Sequence, residues 1–545
     1  VNQPNPTHEQ QTGTLARAIR VVSGLTLLSR FSGLARDLIT ARLFGDGLLG
    51  SAFRAAYAAP NLFRRLFGEG ALSAAFLPEY TRSLKDDRNA ADALASLVVA
   101  MLTLVTSALV VVIELALLAV ILLAPDEERD LSLKLVLVML PMMPMVCLTA
   151  ILGGMLQAHG RFGPPAAAPI LLNLFQVGAA AACWIAKTPG TLAAYIVGAS
   201  AVLASVAQIA WSLNALQGRV KWSRTWQAGR ENARVVLKRF VPVVIGLGTL
   251  QLNTMLDTLV AMWPTWIGPT MFGRPTPLDE ASNAILSYTQ TLYQFPLGVF
   301  GLAVATAVFP MLARTASDPA AFDSTIRRGL RLSFFIGLPA SLGLFAVRRE
   351  LCEVIFGGGW GGFETESIVR CADTLAGFSL AVWAYSLNHV FARAFYARGD
   401  TTTPMRIAMC MVVLNLGLNL SLIWSFRESG LAWATAISAV AQCLLLGTLC
   451  RRKLNVRPFD RETALAFVRI TACAVAMVAL IVLCDKLLPV PGTWLAWLLV
   501  LAVKVCVGAG AYGALCLVFR APEIKWVTQR GPKGGDGGMG GMSFE

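Results

Sequence analysis

Arginine is poorly suited to lipid, yet this sequence places several arginines in stretches that are otherwise apolar. Arg30 and Arg36 share one stretch, with Ser32 and Gly33 between them where a helix could bend; Arg64 and Arg65 follow Pro60 and Asn61 on the next. A guanidinium at mid-membrane is unfavourable by roughly 2.5 to 3.5 kcal/mol on insertion scales, so an arginine kept there marks a functional cavity by default. Grouped guanidinium groups suit a polyanion such as pyrophosphate, because each planar fork donates two parallel hydrogen bonds. Adjacent Arg64 and Arg65 point in different directions on a helix, so one of the two is expected to face the cavity. Arg42 and Arg54 lie near the ends of these stretches and read as snorkelling to the headgroups.

The elements that hold these arginines must be membrane helices. The 545 residues are 56% hydrophobic and only 14% charged, with a mean hydropathy of +0.62, against roughly 25% charged in soluble domains. One apolar span of about 20 residues and its connection take roughly 35 to 40 residues, so the chain holds about fourteen helices. No soluble domain of useful size is left over. After the first stretch, apolar runs near 48–80, 92–124, 131–158, 164–186 and 191–216 complete a group of six. A second six lies near 240–263, 281–313, 329–347, 367–396, 404–426 and 429–450, and two more, near 464–485 and 493–519, close the series.

The net charge of +14, from 46 basic and 32 acidic side chains, would suggest nucleic acid on a soluble protein. Here the basic residues fall between apolar runs, so no nucleic-acid partner is expected. Loops on the side of the first residues carry Arg17, Arg20, Arg82, Lys85, Arg88, Arg161, a cluster over 219–239, Arg327, Arg328, Arg393, Arg398 and Arg451 to Lys453. The opposite loops carry few, so both termini are expected in the cytoplasm. The 11 cysteines mostly sit singly in apolar runs and read as small core residues. The 3 histidines, His8, His159 and His389, lie too far apart for a histidine metal centre on one helix.

A weak repeat accompanies the two groups of six. The segment 159–165 followed by Leu172-Asn173-Leu174 is similar to 398–404 followed by Leu414-Asn415-Leu416, and Leu72 to Pro78 is similar to Val304 to Pro310. Both matches are offset by about six helices, as expected of two halves in one orientation around a central site. The division is a polar N-terminus over 1–17, an N-lobe over 18–218, a basic linker over 219–239, a C-lobe over 240–452, a helix pair over 453–520 and a disordered tail over 521–545.

Ser29-Arg30-Phe31-Ser32-Gly33-Leu34-Ala35-Arg36-Asp37 and Pro60-Asn61-Leu62-Phe63-Arg64-Arg65-Leu66-Phe67-Gly68-Glu69-Gly70-Ala71 resemble the first two helices of the MurJ/MviN family. Gln294-Phe295-Pro296-Leu297-Gly298-Val299 and the run from Phe395 to Pro404 resemble later family segments, over a match from about residue 18 to 520. The resemblance implies a bacterial inner-membrane flippase for lipid II, the undecaprenyl-pyrophosphate-linked peptidoglycan precursor. It implies two six-helix lobes and two C-terminal helices forming a lipid-tail groove. It also implies a monomer, alongside membrane lipids and the cell-wall synthesis machinery.

Carried over by position, Arg30, Arg36 and Arg64 correspond to cavity arginines, with Arg65 and Asp37 flanking them. Ser51 stands where the family often has an acidic residue, and Thr291 and Gln294 where it often has an arginine and a glutamate. Pyrophosphate binding is therefore expected to lean on the first lobe. Asp257, Asn415, Asn419, Thr435 and the backbone of Leu431 resemble a sodium site of some members, which implies Na+ as a coupling ion. Asn415 and Asn419 are four apart and share a helix face, and oxygen ligands suit a hard cation. Interhelical hydrogen bonding is the competing reading of these amides. The rival functions are a related exporter of another polyprenyl-linked glycan or a drug, and a membrane enzyme acting on polyprenyl phosphates.

Overall fold

The computed structural model describes residues 8–64, 72–224, 226–298, 302–358, 362–488 and 491–528. The chain is helical almost throughout. In order come α1 (His8–Phe44), α2 (Leu48–Phe63), α3 (Leu72–Asp86), α4 (Arg88–Leu123), α5 (Glu127–Met139), α6 (Met142–Ala158), α7 (Gly163–Ile185) and α8 (Gly190–Leu216). Then follow α9 (Arg230–Ala261), α10 (Trp263–Trp266), α11 (Ser282–Pro296), α12 (Leu302–Arg314), α13 (Pro319–Ala346), α14 (Arg348–Phe356) and α15 (Thr365–Ala397). The last are α16 (Thr402–Phe426), α17 (Glu428–Lys453), α18 (Arg461–Leu487), α19 (Trp494–Val518) and α20 (Pro522–Thr528). One two-stranded hairpin pairs β1 (Thr270–Met271) with β2 (Arg274–Pro275), turning through Phe272 and Gly273, both at positive φ.

Among the described residues, ten helical segments are long and apolar enough to cross a membrane, with α5 and α6 counted as one. The chain is an all-α multi-pass membrane protein. The apolar run 48–80 holds α2 and α3 and the run 281–313 holds α11 and α12, with Pro60 in the last turn of α2 and Pro296 at the end of α11. Helix α1 runs unbroken through Ser32 and Gly33, so the bend offered by the sequence is not taken.

Helix starts are set by side chains that satisfy the free backbone N–H groups. Asp318 caps α13 through Ala320 and Ala321, with Pro319 at the first position, and Asp460 caps α18 through Thr463. Lipid offers helices no hydrophobic reason to associate, so close backbone approach and polar contacts do the work. Gly377 lets α15 meet α17, for a side chain there would press on the backbone of Trp433. Asn388 of α15 donates to the Ala439 carbonyl of α17 at 3.0 Å. Helix α15 is thereby buried along most of its length at the centre of the second half of the chain.

Candidate functional site

Helices α1, α2, α7, α9, α11, α15, α16 and α17 surround a cavity of about 1400 Å³. Arg30, Arg36 and Arg64 all line it, as the sequence led us to expect. Arg65 lies outside the described residues. The wall reaches Pro165 and Ala166 at the start of α7 and Thr401 to Pro404 at the start of α16. The cavity therefore extends to the side that carries Arg161 and Arg398.

Arg36 is held on every side. Its guanidinium donates to the Tyr57 hydroxyl at 2.8 Å, to Oδ1 of Asn173 at 3.1 Å and to Oδ1 of Asp37 at 2.8 Å, and it lies over the Tyr57 ring. Asn173 of α7 donates in turn to the Ser29 carbonyl and the Ser32 hydroxyl of α1. The Ser-x-x-Ser spacing of the first motif thus gives one amide two acceptors on one helix face. Arg64 donates to Oδ1 of Asn61 at 3.0 Å, which orients the second motif.

Asp37 is buried, and it is not a free substrate contact. Its Oδ1 accepts from both Arg36 and Arg54, while its Oδ2 accepts from Thr291 of α11. Arg54 also donates to the Ser287 carbonyl at 2.9 Å and lies over the Tyr288 ring. The expectation that Arg54 snorkels is therefore corrected: the buried Asp37 carboxylate draws it inward, to line a smaller cavity beside the first. The signal was available in Asp37 itself, since an intramembrane carboxylate needs cationic partners. Arg393 is corrected too. Read from sequence as a loop residue, it lies within α15 and lines the main cavity with His389 and Tyr396.

The α1 and α11 motifs meet each other. Phe31 and Phe295 make an edge contact at 5.7 Å, and Gly298 leaves room for the Arg30 guanidinium, with which any side chain there would collide. At the other end of α11, Ser51 of α2 accepts from the Ala284 N–H through its hydroxyl and from Asn283 through its carbonyl. Where the family resemblance expects an acidic residue, a hydroxyl caps the start of α11.

In the other half, Asp257, Asn415 and Asn419 are buried together. Asn419 donates to Oδ1 of Asp257 at 2.6 Å and to Oδ1 of Asn415 at 3.0 Å. Asp257 and Thr435 share the cavity wall, whereas Leu431 is packed in an apolar core with Leu375 and Phe378. Oδ1 of Asn419 and the Thr435 hydroxyl are buried with no hydrogen-bond partner among the described residues. Unsatisfied buried oxygens beside a carboxylate fit a hard cation such as sodium.

With that geometry in view, comparison with known proteins decides the family. Residues 40–505 match the family model described as lipid II flippase MurJ. The chain belongs to the MurJ family. The probable lipid II flippase MurJ of Haemophilus influenzae is 30% identical over 93% of this chain and 100% of its own length. Its counterpart from Vibrio cholerae is 28% identical over 93% of this chain and 97% of its own length. A solved lipid II flippase MurJ in an inward closed conformation superposes with a TM-score of 0.76 at 21% identity, over 92% of this chain and 99% of that one. An inward-facing multidrug-resistance transporter of the wider MOP superfamily gives 0.65 at 12% identity, over 80% and 98% of the two chains. This MurJ-family chain therefore has the transporter fold of that superfamily.

Proposed function

We propose that the chain is a lipid II flippase of a bacterial inner membrane that works by alternating access. Family membership supports the substrate, and the observation that carries the reading is the placing of Arg30, Arg36 and Arg64 on one intramembrane cavity. The substrate set is Arg30, Arg36, Arg64 and Arg65, with Asp37 acting indirectly by holding Arg36 and Arg54. The guanidinium groups bind the pyrophosphate and the cavity takes the sugar and peptide, while the lipid tail stays in the bilayer. At about 1400 Å³ the cavity exceeds the roughly 300–1,000 Å³ of drug-sized sites.

Fourteen spans follow if α1, α9 and the pairs α2/α3 and α11/α12 cross as well. The members of the two pairs have 16, 15, 15 and 13 residues, each too short to cross alone. Two lobes, 18–218 and 240–452, are supported by the repeat: Leu72 to Pro78 leads into α3 as Val304 to Pro310 lies in α12, and Asn173 and Asn415 take matching places on α7 and α16. The helix pair over 453–520 forms the tail groove. Both termini are cytoplasmic, since the basic loops share their side.

In that orientation the cavity opens to the cytoplasm. The outer side is held shut by Ser51 with Asn283 and Ala284, by Arg54 with Ser287, and by Asp37 with Thr291. Opening outward requires these bonds to break, and substrate binding shifts the equilibrium only as far as its affinity differs between the two states. Asp257, Asn415, Asn419 and Thr435 would hold sodium, with Leu431 contributing through its backbone; the ion would neutralise a buried carboxylate and so couple its own gradient to the conformational balance. Expression of the gene in a bacterium depleted of its own flippase tests the reading. Restored growth and lipid II translocation support it, and lysis with lipid II retained on the inner leaflet rejects it.

A further inference from the structure

We infer that the α15 wall of the cavity is a second binding surface for the oxyanions of the substrate head, with Arg393 as its principal contact. The inference rests on the flippase reading and adds a subsite to it. Tyr385, His389, Arg393 and Tyr396 all line the cavity. They are spaced at four, eight and eleven residues from the first, which is the period of one face of a helix. At 1.5 Å per residue the stripe runs about 16 Å, from the level of Asp257 toward the mouth beside Thr401 and Thr402.

Its chemistry is that of an anion track. Each of the four side chains offers N–H or O–H donors into the cavity, and none is an obligate acceptor. Arg393 lies about one turn from the end of α15 and lines the cavity, where an anion can reach its guanidinium. On the opposite wall Arg36 divides its donors among Asp37, Tyr57 and Asn173. Phenol rings beside a guanidinium also give flat apolar faces against which a sugar ring can lie.

The stripe is held in position from behind. Asn388 donates to the Ala439 carbonyl and to Gln442 of α17, and Ser333 of α13 donates to the Ser386 carbonyl at 3.0 Å. A ligand bridging α15 to Arg30 and Arg36 would therefore touch both sides of the cavity at once, with a rigid helix on the far side. The oxyanion is either the pyrophosphate or a carboxylate of the peptide, since both accept hydrogen bonds from the same donors.

The test uses the purified full chain in nanodiscs and three probes: lipid II, lipid II without its peptide, and undecaprenyl pyrophosphate. Arg393→Ala is expected to weaken lipid II binding at least tenfold, Arg393→Lys to recover part of the loss, and His389→Asn to have a smaller effect. Loss on all three probes assigns Arg393 to the pyrophosphate; loss confined to the peptide-bearing probe assigns it to the carboxylates. Native affinity of Arg393→Ala for every probe overturns the inference. Thermal unfolding of Arg393→Lys, expected at the wild-type midpoint, separates binding from folding. Failure of wild-type protein to bind lipid II would instead reject the flippase reading itself.

Discussion

Thr291 of α11 donates a hydrogen bond of 3.1 Å to Oδ2 of Asp37, while Arg54 holds the other carboxylate oxygen at 3.0 Å. One buried carboxylate so joins α1, α2 and α11, helices from the two halves of the chain. Removing one partner of a buried ion pair leaves the other charge uncompensated, a loss of about 3–5 kcal/mol. Here Arg36 remains as a second partner, so a smaller loss is expected.

Arg54→Ala and Thr291→Val are expected to loosen the outer closure without unfolding the protein. The measurement is labelling of Ser287→Cys by a membrane-impermeant thiol reagent added from outside, with the exposed Cys410 and Cys506 replaced. Faster labelling in both variants supports the role. Unchanged labelling would make the triad a local packing feature.

Gly298→Ala is expected to displace Arg30, since the added methyl group meets its guanidinium. The guanidinium is the far end of a flexible side chain on the cavity wall, so it moves aside with little effect on folding. Transport should fall by an order of magnitude while expression is unchanged. The check is lipid II translocation normalised to protein in the membrane, and wild-type rates in Gly298→Ala would contradict the α1–α11 contact.

The arginines on α1 and α2 were legible because charge inside an apolar run is conspicuous, and the all-helical membrane fold because the apolar runs are long and frequent. Arg54 and Arg393 were not. Each stands near a helix end, where snorkelling and cytoplasmic retention explain arginine equally well, and the partners that settle Arg54 lie 17 and 237 positions away. The role of Gly298 could not be read either, for it depends on a side chain of another helix.

For the ion site, sodium should raise transport in wild-type proteoliposomes relative to choline at clamped membrane potential. Asp257→Asn should abolish the difference, and Asn419→Asp should lower the sodium concentration needed, by adding a second negative ligand. Equal, sodium-independent rates in all three would leave the amides as structural hydrogen bonds.

Asp400 starts α16 beside the cavity mouth. Partial burial raises its pKa, but donation from the hydroxyl and N–H of Thr403 and from Thr402, together with the positive charge of nearby Lys453, outweighs this and holds the carboxyl below the usual carboxylate range. A depressed folded pKa gives stability that is complete above the unfolded value of about 4 and is lost as pH falls through the folded one. Asp400→Ala should remove that acid dependence at a loss of about 1 kcal/mol at neutral pH. Thermal unfolding between pH 7 and pH 3 reads both effects; identical pH profiles would exclude Asp400 as the cap.

The central claim is that Arg30, Arg36 and Arg64 carry lipid II across the membrane. The direct measurement is translocation of labelled lipid II by the purified chain in proteoliposomes, comparing wild type with Arg30→Ala, Arg36→Ala and Arg64→Ala. Charge-assisted hydrogen bonds of about 1.5–3 kcal/mol each predict losses of roughly ten- to more than a hundredfold per variant, with lysine replacements restoring only part. Wild-type rates in the Arg30 and Arg36 variants would contradict the account.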